Sequence, residues 1–170
     1  MINIVLHEPE IPSNTGNIGR TCVATGASLH LIYPLGFILT EKNLKRAGMD
    51  YWEKLDVHKY VDYEDFLEKN PSSRIWYATT KAEKTYADAD FKDGDFIMFG
   101  KESAGIPEEI LVDNREHCIR IPMGHEIRSL NLANSVAVIL YEAMRQMNFK
   151  DLEEQGKLHR LQWHERKNLE

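Results

Sequence analysis

The sequence predicts an α/β fold, a mostly parallel sheet flanked by helices, and three observations predict it. The first 33 residues read as strand, loop, helix and strand, the βαβ unit of parallel sheets. Two later runs, RIWYATT and DFIMFG, are short, apolar or aromatic, and end in turn residues, as buried central strands do. Near the C-terminus a long stretch carries apolar residues at the helical period.

Each element has a local cause. INIVLH is a β-rich apolar run closed by the turn EPEIPS. Asn14 is placed to cap a helix through Thr15, Gly16, Asn17, Ile18, Gly19 and Arg20 that Gly26 ends. LHLIY follows as the second strand. The charge pattern predicts short helices from Glu41 to about Gly48 and from Tyr63 to Glu68, the latter stopped by Asn70, Pro71 and Ser72. After DFIMFG, Pro107 suits the first position of a short helix, and HCIRIP makes a further strand. From near Leu130, Ala133, Val136, Ala137, Leu140, Ala143, Met144 and Met147 repeat every 3.6 residues and predict a helix packed on the sheet. Beyond Phe149 the periodicity fades. Residues 1–150 therefore form one expected domain, and 151–170 a polar tail or peripheral helix.

Composition narrows the function. At 170 residues, 42% apolar and 28% charged, the chain has the makeup of a soluble domain. Its apolar runs are too short to span a bilayer and Met1 opens no signal-peptide pattern, so a membrane or secretory role is not expected. Two distant cysteines, Cys22 and Cys118, suit a reducing cytoplasm better than a disulfide framework or zinc site. With 21 Lys and Arg against 27 Asp and Glu, the net charge is −6, so RNA contact would need a local basic patch. Lys42, Lys45 and Arg46 form one candidate, and Lys157, Arg160, Arg166 and Lys167 another, although such residues also serve simply to solvate a polar face.

Three loops follow the carboxyl ends of predicted strands, where open parallel sheets place ligands. They run from Ser13 to Arg20, from Phe99 to Pro107 and from Ile119 to Asn134. The first offers backbone amides near a helix start, with Arg20 a turn further on, and reads equally as a capped helix with glycines for close packing. The second is no P-loop. Five residues separate Gly94 from Gly100, and Glu102 stands where that motif needs Ser or Thr after Lys101. No G-x-G-x-x-G follows a strand, and no tight His and Cys grouping suggests a metal. In the third, Ser129, Asn131 and Asn134 put small polar groups at the start of an apolar helix, where Ser129 could also be a plain N-cap.

The segments NTGNIGR, FGKESAGIP and IRIPMGHEIRSLNLANSVAVILYEA resemble the three motifs of SPOUT-class RNA 2′-O-methyltransferases. IVLHEPEIPSNTGNIGRTC, LHLIYPLGF, KRAGMDYWE and SLNLANSVAVILYEAMRQ are similar to the small TrmL (YibK) branch, which methylates the wobble ribose of tRNA, and the resemblance runs from Met1 to about Phe149. It implies a C-terminal trefoil knot, a homodimer whose sites borrow residues from the second copy, S-adenosyl-L-methionine as cofactor, the tRNA anticodon loop as partner, and no metal. By the same resemblance, Ala78, Thr79, Gly100, Ile121, Met123, Ser129 and Leu130 form the cofactor pocket, while Arg20, Asn17, Glu102, Ser129 and Asn131 handle the acceptor. Two positions depart from the family pattern: Lys101 replaces a Pro and Ala78 a Leu.

A guanidinium is effectively never deprotonated, so Arg20 would stabilise negative charge developing on the ribose oxygen or a nearby phosphate rather than remove a proton. Ser129 and Asn131 would orient the hydroxyl. Tyr33, Phe37, Tyr51, Trp52 and Tyr141 are available to stack on unpaired bases, or to fill the core. Methylation of another tRNA or rRNA site, and a non-catalytic dimeric RNA-binding module, are the competing readings.

Overall fold

Seven parallel strands form one sheet in the computed structural model, which describes residues 1–38, 51–161 and 163. They are β1 (Asn3–His7), β2 (Ser28–Ile32), β3 (Val57–Tyr60), β4 (Ile75–Ala78), β5 (Lys84–Thr85), β6 (Phe96–Phe99) and β7 (Cys118–Arg120). Their order is β3-β2-β1-β6-β4-β7-β5. Helices α1 (Pro12–Thr25), α2 (Tyr63–Lys69), α3 (Glu108–Val112) and α4 (Leu132–Gln146) cover the two faces.

The alternation of side chains along each strand divides the core. Ile4, Leu6, Leu29, Leu31, Ile97 and Phe99 pack beneath α1 and α4 with Ile18, Cys22, Val136, Ile139, Leu140 and Ala143. Val5, Ile32, Tyr77, Phe96 and Met98 face the other way, toward Phe66 of α2 and Leu111 of α3. Because both faces are covered, FIMF is buried at all four positions, which is why it shows no polar alternation. Burial of each large aliphatic or aromatic side chain contributes about 1.5–3 kcal/mol.

Three helix starts differ from the sequence expectation. α1 begins at Pro12, with Ile11 as its capping residue, so Asn14 lies inside the first turn rather than at the cap. Proline lacks an N–H and has its φ preset, which suits the first helical position. α4 begins at Leu132, and its cap is Asn131, whose Oδ1 accepts the N–H groups of Ala133 at 2.9 Å and Asn134 at 3.3 Å. Ser129, whose alternative reading is a plain N-cap, is outside the helix. Gly26 ends α1 in the left-handed conformation, φ 69°, as its placement predicted. Pro107 precedes α3 as its cap instead of opening it. Residues 151–161 carry neither helix nor strand, and the helix expected from Glu41 to Gly48 lies outside the described residues.

On β2, one strand in from the sheet edge, His30 is buried, 4% exposed. Its ring nitrogens exchange hydrogen bonds with Tyr60 Oη at 2.8 Å and Ser28 Oγ at 3.1 Å, and the ring stacks on His58. Burial, and secondarily the neighbouring His58, lowers its pKa from 6.5 to about 4. The folded state thus keeps His30 neutral while the unfolded chain protonates it below its ordinary pKa. The sign follows: this contribution is complete above about pH 6.5 and is lost as pH falls toward 4, at up to about 1.4 kcal/mol per pH unit. Urea unfolding at pH 7 and pH 5 should show a lower midpoint at pH 5, with a smaller drop in His30→Gln. Equal drops in the two proteins would remove His30 as the cause.

Candidate functional site

The register of the sheet brings the proposed loops together. Leu6 of β1 pairs with Phe99 of β6, Phe99 with Ala78 of β4 and Ala78 with Ile119 of β7, each within one residue of its strand's end, so the segments after them meet above one edge. Between them lies a cavity of about 520 Å³. All seven residues assigned to the cofactor pocket line it: Ala78, Thr79, Gly100, Ile121, Met123, Ser129 and Leu130. Glu102 and Asn131 of the acceptor set line it as well, together with Asn14, Lys101 and Arg128, which that assignment did not include. Phe99, Ile119, Leu132 and Ile139 add apolar walls.

Gly100 is where the chain leaves β6, and the turn behind it returns almost onto its Cα. A Cβ there would sit 2.0 Å from the carbonyl carbon of Gly105 and 2.1 Å from the Ile106 nitrogen. Gly105 has φ +75° and donates its N–H to the Lys101 carbonyl at 2.8 Å. Two glycines therefore make the tight turn that presents Lys101, Glu102 and Ser103 to the neighbouring loop.

Those three residues clasp the segment after β1. A Glu102 carboxylate oxygen accepts the N–H of Glu10 at 2.8 Å, and the other accepts the N–H of Ile11 at 3.3 Å and Asn14 Nδ2 at 2.9 Å. Asn14 Oδ1 in turn accepts Asn131 Nδ2 at 3.0 Å, and Asn131 caps α4. One carboxylate is thus tied through two amides to the starts of both long helices, where negative charge near the first turn of α1 is also favoured by its dipole. In the opposite direction, Glu10 accepts the N–H and hydroxyl of Ser103 at 2.9 and 2.8 Å, bonds that lower its pKa. Lys101 pairs with Glu8 at 2.9 Å, which raises the ammonium pKa.

Asn14, 6% exposed, is the functional candidate that sequence reasoning missed. Its partners lie 88 and 117 residues away. The available signal was Pro12: a proline at the first helical position moves the cap back to Ile11 and frees the Asn14 side chain for distant partners. Asn17, chosen instead, is exposed and does not line the cavity. Arg20 does not line it either. It stands six residues beyond Asn14, about 240° around the helix, with its guanidinium 5.1 Å from the centre of the Tyr51 ring.

Of the other aromatics, Tyr33, Phe37 and Trp52 are half-buried, Trp52 against the core, and Tyr141 is 45% exposed on α4. Lys157 and Arg160 are exposed, whereas Lys42, Lys45, Arg46, Arg166 and Lys167 lie outside the described residues. Among the described residues, no cluster of three His, Cys, Asp or Glu side chains could hold a metal ion.

Comparison with known proteins adds four findings. Residues 1–141 match the model of the SpoU rRNA methylase family. A tRNA (cytidine(34)-2'-O)-methyltransferase of Escherichia coli K12 is 48% identical over 150 residues, covering 88% of this chain and 96% of the relative. A solved structure described as "Structural insights into the 2-OH methylation of C/U34 on tRNA" superposes with a TM-score of 0.82 at 45% identity, over 87% of this chain and 97% of the other. An AdoMet-bound rRNA methyltransferase from Sinorhizobium meliloti superposes with a TM-score of 0.75 at 26% identity, over 86% of this chain and 56% of that one.

Proposed function

The chain belongs to the SpoU rRNA methylase family, and from that premise we propose that it is a tRNA 2′-O-methyltransferase acting on the ribose of cytidine or uridine at wobble position 34. The observation that carries this reading is the closure of the three motif loops on one cavity, with Glu102, Asn14 and Asn131 joined beside it. The E. coli relative, similar over nearly its whole length, points to the same reaction.

The cavity suits S-adenosylmethionine. Its volume of about 520 Å³ is within the ordinary range for small-ligand sites, and apolar walls alternate with Thr79, Ser129 and Ser135. Bound there, the cofactor supplies a methyl group activated on a sulfonium. Ala78, Thr79, Gly100, Ile121, Met123, Ser129 and Leu130 hold its adenosyl and methionine parts, and no metal is needed. Ser129 and Asn131 orient the ribose hydroxyl, while Arg20 stabilises the charge that develops on its oxygen or a neighbouring phosphate. Alignment of the two reacting groups supplies the largest share of the acceleration, which can reach roughly 7–11 kcal/mol.

Because Arg20 does not line the cavity of its own chain, the reading includes a homodimer in which a second copy brings Arg20 to the site. Exposed Ile11, Val138 and Tyr141, on and beside α1 and α4, are suited to such an interface. It also includes the C-terminal trefoil knot that wraps the third loop, a methyltransferase domain over residues 1–150 with 151–170 as a tail, and a cytoplasmic location. No helix among the described residues is long and apolar enough to cross a membrane. Arg128 at the cavity and Arg20 of both copies give a local positive field on a body of net charge −6.

The test is transfer of labelled methyl from S-adenosylmethionine to tRNA from a strain lacking this gene, followed by nuclease mapping. Label in the ribose of nucleotide 34 is expected. Label at another nucleotide would move the substrate, and cofactor binding without transfer to any RNA would favour a non-catalytic module.

A further inference from the structure

Gly16 and Gly19 stand one turn apart on α1, and Trp52 and Leu55 pack against Gly19. A Cβ at Gly19 would lie 2.9 Å from Leu55 Cδ2 and 3.3 Å from the Trp52 ring, so glycine allows the close approach without displacing either side chain. It places the residue just before Trp52 beside the helix. The Tyr51 hydroxyl donates to the Gly16 carbonyl, the carbonyl toward which helical geometry also directs the Arg20 N–H. The Tyr51 ring meanwhile lies 5.1 Å from the Arg20 guanidinium carbon, inside the roughly 6 Å range of a cation–π contact.

The two ends of the tyrosine thus have separate jobs. Its hydroxyl anchors the ring to α1, and the ring face packs against the Arg20 guanidinium and narrows its orientation. Resting on the acceptor-site role of Arg20, we propose that Tyr51 is a positioning residue that aligns the Arg20 guanidinium for methyl transfer. Tyr51 is therefore committed to arginine on one face, in contrast to the base-stacking use that its residue type first suggested. Phenylalanine keeps that face and leucine does not.

The experiment compares Tyr51→Leu, Tyr51→Phe, Arg20→Gln and the double variant in the full chain. It measures kcat and KM for methyl transfer to tRNA and, by calorimetry, S-adenosylmethionine affinity. In Tyr51→Leu, kcat should fall about tenfold with cofactor affinity and cofactor KM unchanged. Tyr51→Phe should stay within about threefold of the parent, and Tyr51→Leu should cost nothing further in the Arg20→Gln background. Parental kcat in Tyr51→Leu with a crippled Arg20→Gln overturns the proposal alone, as does an equal loss from Tyr51→Leu in both backgrounds. Parental kcat in Arg20→Gln overturns the acceptor-site role and this proposal with it. If Tyr51→Leu fails to bind cofactor, Tyr51→Met, which keeps volume without a π face, is read by the same outcomes.

Discussion

Arg20→Ala should lower methyl transfer by about 10²–10³-fold, the usual cost of removing one group that meets developing charge, while cofactor affinity stays within about twofold of the parent. The separation of the two effects follows from where Arg20 sits. It is exposed on α1 and does not line the cavity, so its removal leaves Gly100, Thr79 and Ile121 undisturbed. It also leaves the folding core intact, since it is the opposite face of α1 that buries Ile18 and Cys22. Raising the pH should not restore activity, because the missing function is electrostatic rather than proton removal. Arg20→Lys keeps the charge but loses the planar fork and should recover only part of the rate. Isothermal titration with S-adenosylmethionine beside single-turnover transfer to tRNA measures both halves. Loss of cofactor binding equal to loss of turnover would place Arg20 in the cofactor site instead.

The strands that sequence reasoning found are those whose physics is local. β1, β2, β4 and β6 are buried on both faces and show as apolar runs, whereas the edge strand β3, VHKY, exposes His58 and Lys59 and resembles a loop. β5 has two residues, Lys84 and Thr85, and exists through its pairing with β7. The candidate site divides similarly. Gly100, Ile121 and Ser129 could be placed at one edge because strand ends converge in a parallel sheet. The Glu102–Asn14–Asn131 chain could not be read, because its hydrogen bonds span up to 117 residues and Asn14 carries an equally good local explanation as a cap. Helical phase decided Arg20: a motif contiguous in sequence presents its ends on different sides of α1.

Glu102→Gln should reduce kcat by about 10²-fold and lower the melting temperature by several degrees, for one reason. Three donors converge on the carboxylate: the Glu10 and Ile11 N–H groups and Asn14 Nδ2. An ionised carboxylate is acceptor only, but the glutamine amide turns one of its two positions into a donor. Whichever way the amide is flipped, at least one of the three donors faces an N–H, at a cost of about 1–3 kcal/mol for the group left unmade. If Asn14 is the one displaced, its Oδ1 no longer holds Asn131 Nδ2, and the polar group beside Ser129 at the cavity is released. Asn14→Ala should therefore reproduce most of the kinetic loss. Glu8→Gln is the matched control, because it breaks only the partly exposed pair with Lys101, a contact worth under about 1 kcal/mol. Thermal melts and steady-state rates on the three variants distinguish a connected network from isolated contacts. If Glu102→Gln were crippled while Asn14→Ala remained fully active, Glu102 would act on the acceptor directly, and the relay through Asn14 to Asn131 would have no part in the reaction.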